Sequence, residues 1–405
     1  MTRVRLLDLS RLLSRAGTMP TGIDRVEAAY LRYFLNTSSE VPCYGLVRTA
    51  IGFVLMDAEG MMQVQLALET AHWPFPDPLS LLNPRLTPAM RRGQTCARRA
   101  RIDRCPRGRL TGMLQRRFPD GFDYYNVGHA NLTEPTQAAI RAAGPCRVNI
   151  MIHDTIPLDH PEWQRPGSVD VFRRKLTVAA RHADRIITTA RATRRDVIRH
   201  IARLKGKAEM VVAPLGVRPV TEESSALPPE LPPIRPYFVT VGTIEPRKNH
   251  QLLFDVWDAL GEDGPELVIC GSRGWNNDAV FRRLDAGLSN VREVSGLRDD
   301  AIAALLRGSQ GLLFPSYSEG FGLPPIEAAM LGVPVVASDL PIYEEFLGDW
   351  AVYLPPNDIY SWKKEVERLA STQPTDKETA FQPPTWGEHF KIVFTGSAYH
   401  ADRTR

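Results

Sequence analysis

Two kinds of apolar pattern alternate along this chain: short unbroken runs rich in β-branched residues, and longer stretches with an apolar residue every three or four positions. The second half is the more regular. YFVTVGTI (237–244) predicts a strand, and HQLLFDVWDAL the helix after it. ELVICGS, NVREVSG, QGLLFPS and VPVVASD predict further strands, with DAVFRRLDAGL, DDAIAALLRGS and PPIEAAMLG as the helices between them. Buried strands alternating with amphipathic helices indicate parallel βαβ units. Ligands of such sheets sit beyond the carboxyl ends of the strands.

The first half repeats the theme less evenly. VRLLDLS (4–10), VPCYGLV, AIGFVLMD, RVNIMIHD (147–154), DRIITTA (184–190) and EMVVAPLG (209–216) read as strands, with DAEG as a turn. TGIDRVEAAYLRYFL, VDVFRRKLTVAARHA and RATRRDVIRHIARL read as helices. RPVTEESSALPPELPPIRP carries Pro, Ser and Glu without apolar periodicity and reads as a linker. The expected organisation is a first domain over 1–218, a linker over 219–235, a second domain over 236–383 and a closing helical segment over 384–405. At 405 residues the chain exceeds one ordinary core, in keeping with two domains.

Composition narrows the class. With 43% hydrophobic and 24% charged residues the chain is globular, and a net charge of +4 is too small to argue for nucleic acid. Five cysteines, an odd number without a CxxC pair, speak against a disulfide framework or a structural zinc site and for a reducing compartment. MTRVRLLDLSRLLSR is broken by charge every few residues, unlike a signal peptide, and no apolar run is long enough to span a bilayer. The expected location is cytoplasmic.

One region breaks the rhythm. Over about 70–119, PDPLSLLNPRLTPAMRR is turn-rich and ARRARIDRCPRGRLTGMLQRRF is dense in arginine. It reads as a solvated insertion or loosely ordered loop. The sharper alternative is a basic surface, over 85–117, beside an anionic membrane or a lipid-linked phosphate. It lacks the interleaved aromatics of a nucleic-acid site.

Candidate chemistry gathers in the second half. In VGTIEPRKNHQLL a strand ends, Gly242 permits a turn, and Arg247 and Lys248 precede the next helix. Two cations at a strand's carboxyl end suit a diphosphate, Arg gripping two oxygens and Lys adding a point charge. Neither a Walker loop nor GxGxxG is present. In SYSEGFGLPPIEAAMLGVPVV, Gly320 and Gly322 let backbone N–H groups approach a ligand, and Pro325 suits a first helical turn, which places Glu327 in that turn. Glu327 there either caps the helix or meets a ligand. Glu319 precedes the helix, and both acids are good acceptors for sugar hydroxyls. One molecule satisfies all these elements: a nucleoside diphosphate sugar.

Glu319-x7-Glu327 within EGFGLPPIEAAMLGVPVVASD, preceded by GTIEPRKNH, resembles the signature of family 4 retaining glycosyltransferases. That resemblance, strong from about Tyr237 to Pro356, implies an α/β fold of the GT-B type, two Rossmann-like domains with parallel sheets facing across a cleft. It implies donor contacts at Gly242, Gly271, Leu297, Gly320, Phe321, Gly322, Leu323 and Glu327. TGIDRV resembles the family's glycine-rich loop with Thr21 in place of the first glycine, leaving Gly22 to approach the donor. IMIHDTIPL places His153 where the family has a histidine near the reacting sugar, with Asp154 beside it. His129 and Asn131 of NVGHANL, with Asp154, are candidates for acceptor contact. The closing helix fits the family's habit of returning to the first domain.

The resemblance further implies hexose transfer with retention, by a front-face route in which the leaving phosphate takes the acceptor proton. Arg247, Lys248, Glu319 and His153 are the expected catalytic group, without a metal or other cofactor. The wording is most like users of GDP-mannose in bacterial surface-polysaccharide synthesis, with a glycan or lipid-diphosphate-linked acceptor. The alternatives are a sugar-nucleotide epimerase on the same fold and a non-catalytic binding scaffold.

Overall fold

The computed structural model describes every residue except 1, 2, 205, 220–222, 224–226, 373–379, 397, 398 and 400–405. Part of the expected linker (220–222 and 224–226) and the end of the closing segment therefore lie outside the described residues. The chain forms two compact units: Met1–His153 with Asp170–Thr188 and Asp196–Val211, and Asp154–Val169 with Thr189–Arg195 and Val212–Arg405.

The first sheet has eight strands: β1 (Val4–Asp8), β2 (Cys43–Thr49), β3 (Gly52–Met56), β4 (Asp103–Cys105), β5 (Phe122–Asn126), β6 (Cys146–Ile152), β7 (Arg185–Thr188) and β8 (Glu209–Val212). Their order is β4-β3-β2-β1-β5-β6-β7-β8. β2, β1, β5, β6 and β7 pair in parallel, and their inward runs, such as Leu6–Leu7 and Ile150–Ile152, are buried on both faces. β3 is antiparallel to β2 and β4. Only Ala50 and Ile51 join β2 to β3, too short for a crossover, so a hairpin is the sole closure available.

Two expectations change here. DAEG is the start of helix Ala58–Thr70, not a turn: the Asp57 carboxylate accepts from the Gly60 N–H at 3.0 Å and caps it. Gly60 is required because a Cβ would stand 2.4 Å from the Ala100 carbonyl oxygen. Residues 70–119 are not a loosely ordered loop. They supply edge strand β4 and helices Pro78–Leu81, Pro88–Arg99 and Leu110–Arg117. Helix Pro88–Arg99 buries Gln94, Thr95 and Arg98, and Arg98 is held by Asp77 at 2.6 Å.

The second sheet is parallel throughout: β9 (Tyr237–Val241), β10 (Glu266–Cys270), β11 (Val291–Val294), β12 (Gly311–Phe314), β13 (Val335–Ser338) and β14 (Ala351–Leu354), in the order β11-β10-β9-β12-β13-β14. The order reverses between β9 and β12, which opens a crevice at their carboxyl ends. Phe238, Phe254, Trp257 and Trp362 fill its core, the two indoles donating to the carbonyls of Pro265 and Pro355. The closing helix, Trp386–Thr395, begins with a Thr385–Glu388 capping box and rests on Ala213–Val217. Gly216 allows this, since a Cβ would lie 2.2 Å from the Trp386 nitrogen. Among the described residues no helix is long and apolar enough to cross a membrane.

Gly93 lies where helix Pro88–Arg99 meets the backbone of Leu13, and a Cβ there would sit 1.7 Å from the Leu13 carbonyl oxygen. Gly93→Ala is expected to destabilise the protein by about 1–3 kcal/mol through overpacking, read as a lower urea midpoint. An unchanged midpoint would mean that this helix is not part of the folded core.

Candidate functional site

The site is assembled at the reversal between β9 and β12. After β9 the chain turns at Gly242, with φ 140°, and enters a 3₁₀ turn, Pro246–Lys248. Asn249, in the left-handed region at φ 55°, ends the turn, and its amide donates to the Pro356 carbonyl at 2.8 Å. The glycines make room for one another. A Cβ on Gly271 would be 1.9 Å from the Gly242 carbonyl oxygen, and one on Gly242 would be 3.1 Å from the Lys248 side chain.

Arg247, Lys248 and Glu319 come together as one buried cluster. A single Glu319 carboxylate oxygen lies 2.5 Å from an Arg247 nitrogen and 2.7 Å from Lys248 Nζ. Arg247 also binds Glu245, at 2.6 Å and 3.0 Å, and the Ser318 carbonyl at 3.0 Å. The Lys248 ammonium lies 4.1 Å from the centre of the Phe314 ring. Burial pushes the Glu319 carboxyl up, but the Arg247 and Lys248 charges overrule it and hold it at about 2. Burial holds Lys248 below the usual lysine range, with Glu319 only partly compensating. Glu319 and then Glu245 strengthen proton binding by Arg247 against its burial. Burial raises Asp154, and the positive charge of Arg247 works against that rise.

The loop after β12 leads into helix Leu323–Met330. The Gly320 carbonyl accepts from Thr189 Oγ1 at 2.9 Å and Thr193 Oγ1 at 3.3 Å. Phe321 is buried against Phe346, their ring centres 4.6 Å apart. Gly322 is the N-cap at φ 84°, and a Cβ there would meet the Tyr343 ring at 2.7 Å. Leu323 is the first helical residue, so Glu327 is the fifth and lies beyond the first turn. This corrects the expected placement of Glu327: the left-handed Gly322 starts the helix earlier than Pro325 suggested, and no acid occupies the first turn. Leu297 follows β11, two strands out from β9.

The first unit holds the other candidates. Gly22 is exposed as the first residue of helix Gly22–Asn36. Thr21 explains its own presence, because its N–H and hydroxyl both donate to Asp24 at 2.8 Å and Arg11 and Arg15 grip that carboxylate. The His129 and His153 rings lie 5.1 Å apart, each Nε2 against a backbone carbonyl: Met151 at 2.8 Å and Val127 at 2.7 Å. Burial lowers His153 to about 4, and burial with neighbouring His153 holds His129 well below its usual range. Both are neutral at pH 7. The Asn131 amide donates to Asp8 and Ser10, each at 2.8 Å, tying its loop to the end of β1.

Sequence reasoning missed several residues. Glu245 had a signal, an acid two places before the basic pair. Trp163 had none: its ring stacks between those of His160, 3.9 Å away, and Tyr317, 5.6 Å away. Its carbonyl accepts from the Trp275 indole at 2.8 Å. Ser316 and Tyr343 are both fully buried, one just before the EGFG turn and the other beneath it.

Residues 227–382 match the family described as Glycosyl transferases group 1. The serotype-specific mannosyltransferase WbdA of Escherichia coli is 31% identical over 246 residues, 55% of this chain and 30% of that protein. O-antigen chain mannosyltransferase B of Escherichia coli is 33% identical over 128 residues, 30% of this chain and 34% of that one. The chain thus spans about a third of the length of these relatives. Sucrose-phosphate synthase from Thermosynechococcus elongatus superposes with TM-score 0.59 at 16% identity, over 98% of this chain and all of that one, 100%. Anabaena HepE, solved in complex with UDP, superposes with TM-score 0.62 at 16% identity, over 97% and 99% of the two chains. These likenesses carry the fold alone, and the fold is GT-B, as the motifs implied.

The Glu319 pairing generates a prediction in acid. A carboxyl depressed from 4.5 to about 2 by folding stabilises the folded state above pH 4.5, and that stabilisation is lost as pH falls towards 2. Glu319→Gln should flatten this part of the acid-denaturation profile. It should also cost about 3–5 kcal/mol at pH 7 by leaving two buried cations short of an anion. Equal stability of the variant and the parent at pH 7 and pH 3 would show that the cluster is not formed.

Proposed function

Since the chain carries a Glycosyl transferases group 1 domain on a GT-B fold, we propose that it is a retaining glycosyltransferase. It moves a hexose, best taken as mannose from GDP-mannose, to a glycan or lipid-linked glycan acceptor in bacterial polysaccharide synthesis. The observation that carries this reading is the buried Arg247–Lys248–Glu319 cluster at the reversal of the second sheet. The mannosyltransferase names of its Escherichia coli relatives support the choice of sugar. The arginines of 85–117 suit a protein working at the inner face of an anionic membrane.

Two cations and the carboxylates of Glu319 and Glu245 balance in charge. A donor diphosphate enters by exchange of partners. Its oxygens take Arg247 and Lys248, and Glu319, released from them, accepts from the hydroxyls of the transferred sugar. The two cations keep an anionic partner at both stages, and Glu319 exchanges them for hydroxyl donors, so no buried polar group is left without a hydrogen bond. In the reaction the bond from the sugar's anomeric carbon to the phosphate oxygen breaks, and its electron pair leaves with the diphosphate. The acceptor oxygen bonds to that carbon on the same face, and its proton passes to the departing phosphate. Arg247 and Lys248 meet charge that grows as the bond breaks, so they act more strongly on the transition state than on the ground state. They supply the positive charge that a divalent cation would otherwise bring. His153 is neutral above about pH 4, so any part it takes is as a hydrogen-bond partner and not as a cation.

The test is release of GDP from GDP-mannose with a panel of α-mannoside acceptors, and the anomeric form of the product by NMR. Acceptor-dependent release, an α-linked product and turnover unchanged by EDTA are expected. Lys248→Ala and Arg247→Ala should each lose about 2–4 kcal/mol of transition-state stabilisation in kcat/KM. Near-normal turnover in either variant would contradict the assignment. An altered nucleotide sugar formed without acceptor would indicate an epimerase, and binding without turnover a scaffold.

A further inference from the structure

Residues 71–119 hold a surface built inside out. In segment Phe75–Leu82 the polar side chains face inward. Ser80 is wholly buried, its hydroxyl on the Arg91 carbonyl at 3.2 Å, on Thr95 Oγ1 at 3.2 Å and against Arg98. Asp77 caps the short helix through the Ser80 N–H at 2.9 Å and pairs with buried Arg98 at 2.6 Å. The apolar side chains face outward: Phe75 is 87% exposed, Leu79 48%, Leu81 57% and Leu82 80%. A water-facing helix normally shows the reverse pattern. Large apolar residues clustered in this way mark a docking surface rather than ordinary exposed side chains.

The charge next to it identifies the occupant. Residues 85–117 contain eleven arginines and one aspartate, with no lysine or glutamate, a net of +10 on a chain whose total is +4. Arg85, Arg92 and Arg99 of this stretch are exposed, and helix Pro88–Arg99 is the one that clamps the short helix from within. Apolar side chains projecting from a rigid base, flanked by cations, suit the interface of an anionic bilayer: acyl chains take the Phe and Leu, and headgroup phosphates take the guanidinium groups. A protein partner would not require so uniform a charge, and single-stranded nucleic acid would require stacking aromatics beyond the one exposed Phe75.

We propose that Phe75, Leu79, Leu81 and Leu82 form an anchor that inserts into an anionic membrane, with the exposed arginines beside them holding the headgroups. This stands independently of sugar transfer, since no residue of the donor site takes part.

The test is co-sedimentation of the full chain with vesicles rich in phosphatidylglycerol and with vesicles of phosphatidylcholine alone. Binding to the anionic vesicles is expected, weakening as salt rises. Phe75→Ser with Leu82→Ser should lower affinity at least about tenfold, because burying such side chains drives insertion. Arg85→Glu with Arg99→Glu should abolish the preference for anionic lipid. All four positions are exposed, so unchanged melting curves are expected and separate lost docking from lost folding. Serine variants that bind like the parent would overturn insertion. Binding to RNA that survives the serine changes, with no binding to vesicles, would overturn the membrane as occupant, and so would a dimer that the serine changes dissolve.

Discussion

The second unit depends on one carboxylate oxygen shared by two cations. Glu319 reaches Arg247 and Lys248 across the gap between β12 and β9, and without it two positive charges would be buried side by side. The sheet order forces this meeting, because β9 and β12 are neighbours whose following loops run to opposite faces. The glycines serve the same end. Gly271 clears space for the Gly242 carbonyl, and Gly242 clears space for the Lys248 stem. The cluster is closed and charge-balanced, Glu319 and Glu245 facing Arg247 and Lys248.

Much of this was legible in the sequence because it lies where strand runs end. The strands around Gly242 and Ser316 are continuous apolar stretches, and the residues after them are the chemically unusual ones: a basic pair and a glycine-rich turn with an acid. What was not legible is partner choice. Types and spacing raised the expectation that Glu319 meets a ligand's hydroxyls, but only three-dimensional proximity shows that it holds both cations. Glu327 was expected in the first turn and lies beyond it, because the start of its helix is set by the left-handed backbone of Gly322, with the Tyr343 ring packed against it. Trp163 lies ten residues beyond His153 in a proline-containing loop with no periodicity, so nothing local marks it as the middle of a ring stack.

Residues 70–119 failed for a different physical reason. Pattern reading assumes that polar residues face water. Here Asp77, Ser80, Thr95 and Arg98 satisfy one another inside, while Phe75, Leu79, Leu81 and Leu82 are outside. The inversion erases the amphipathic signal and makes an ordered, packed region look like loop. Gly60 misled in the same direction, since it is small to admit the Ala100 carbonyl and not to make a turn.

The most direct measurement is calorimetric titration of the parent and of Lys248→Ala with GDP and with GMP. If the cluster holds a diphosphate, the parent binds GDP more tightly than GMP by at least about tenfold, as charge-assisted contacts to one further phosphate require. Lys248→Ala should then bind the two nucleotides almost equally. Equal affinities in the parent, or a preference for GDP that survives the loss of Lys248, would contradict a diphosphate site at Arg247, Lys248 and Glu319.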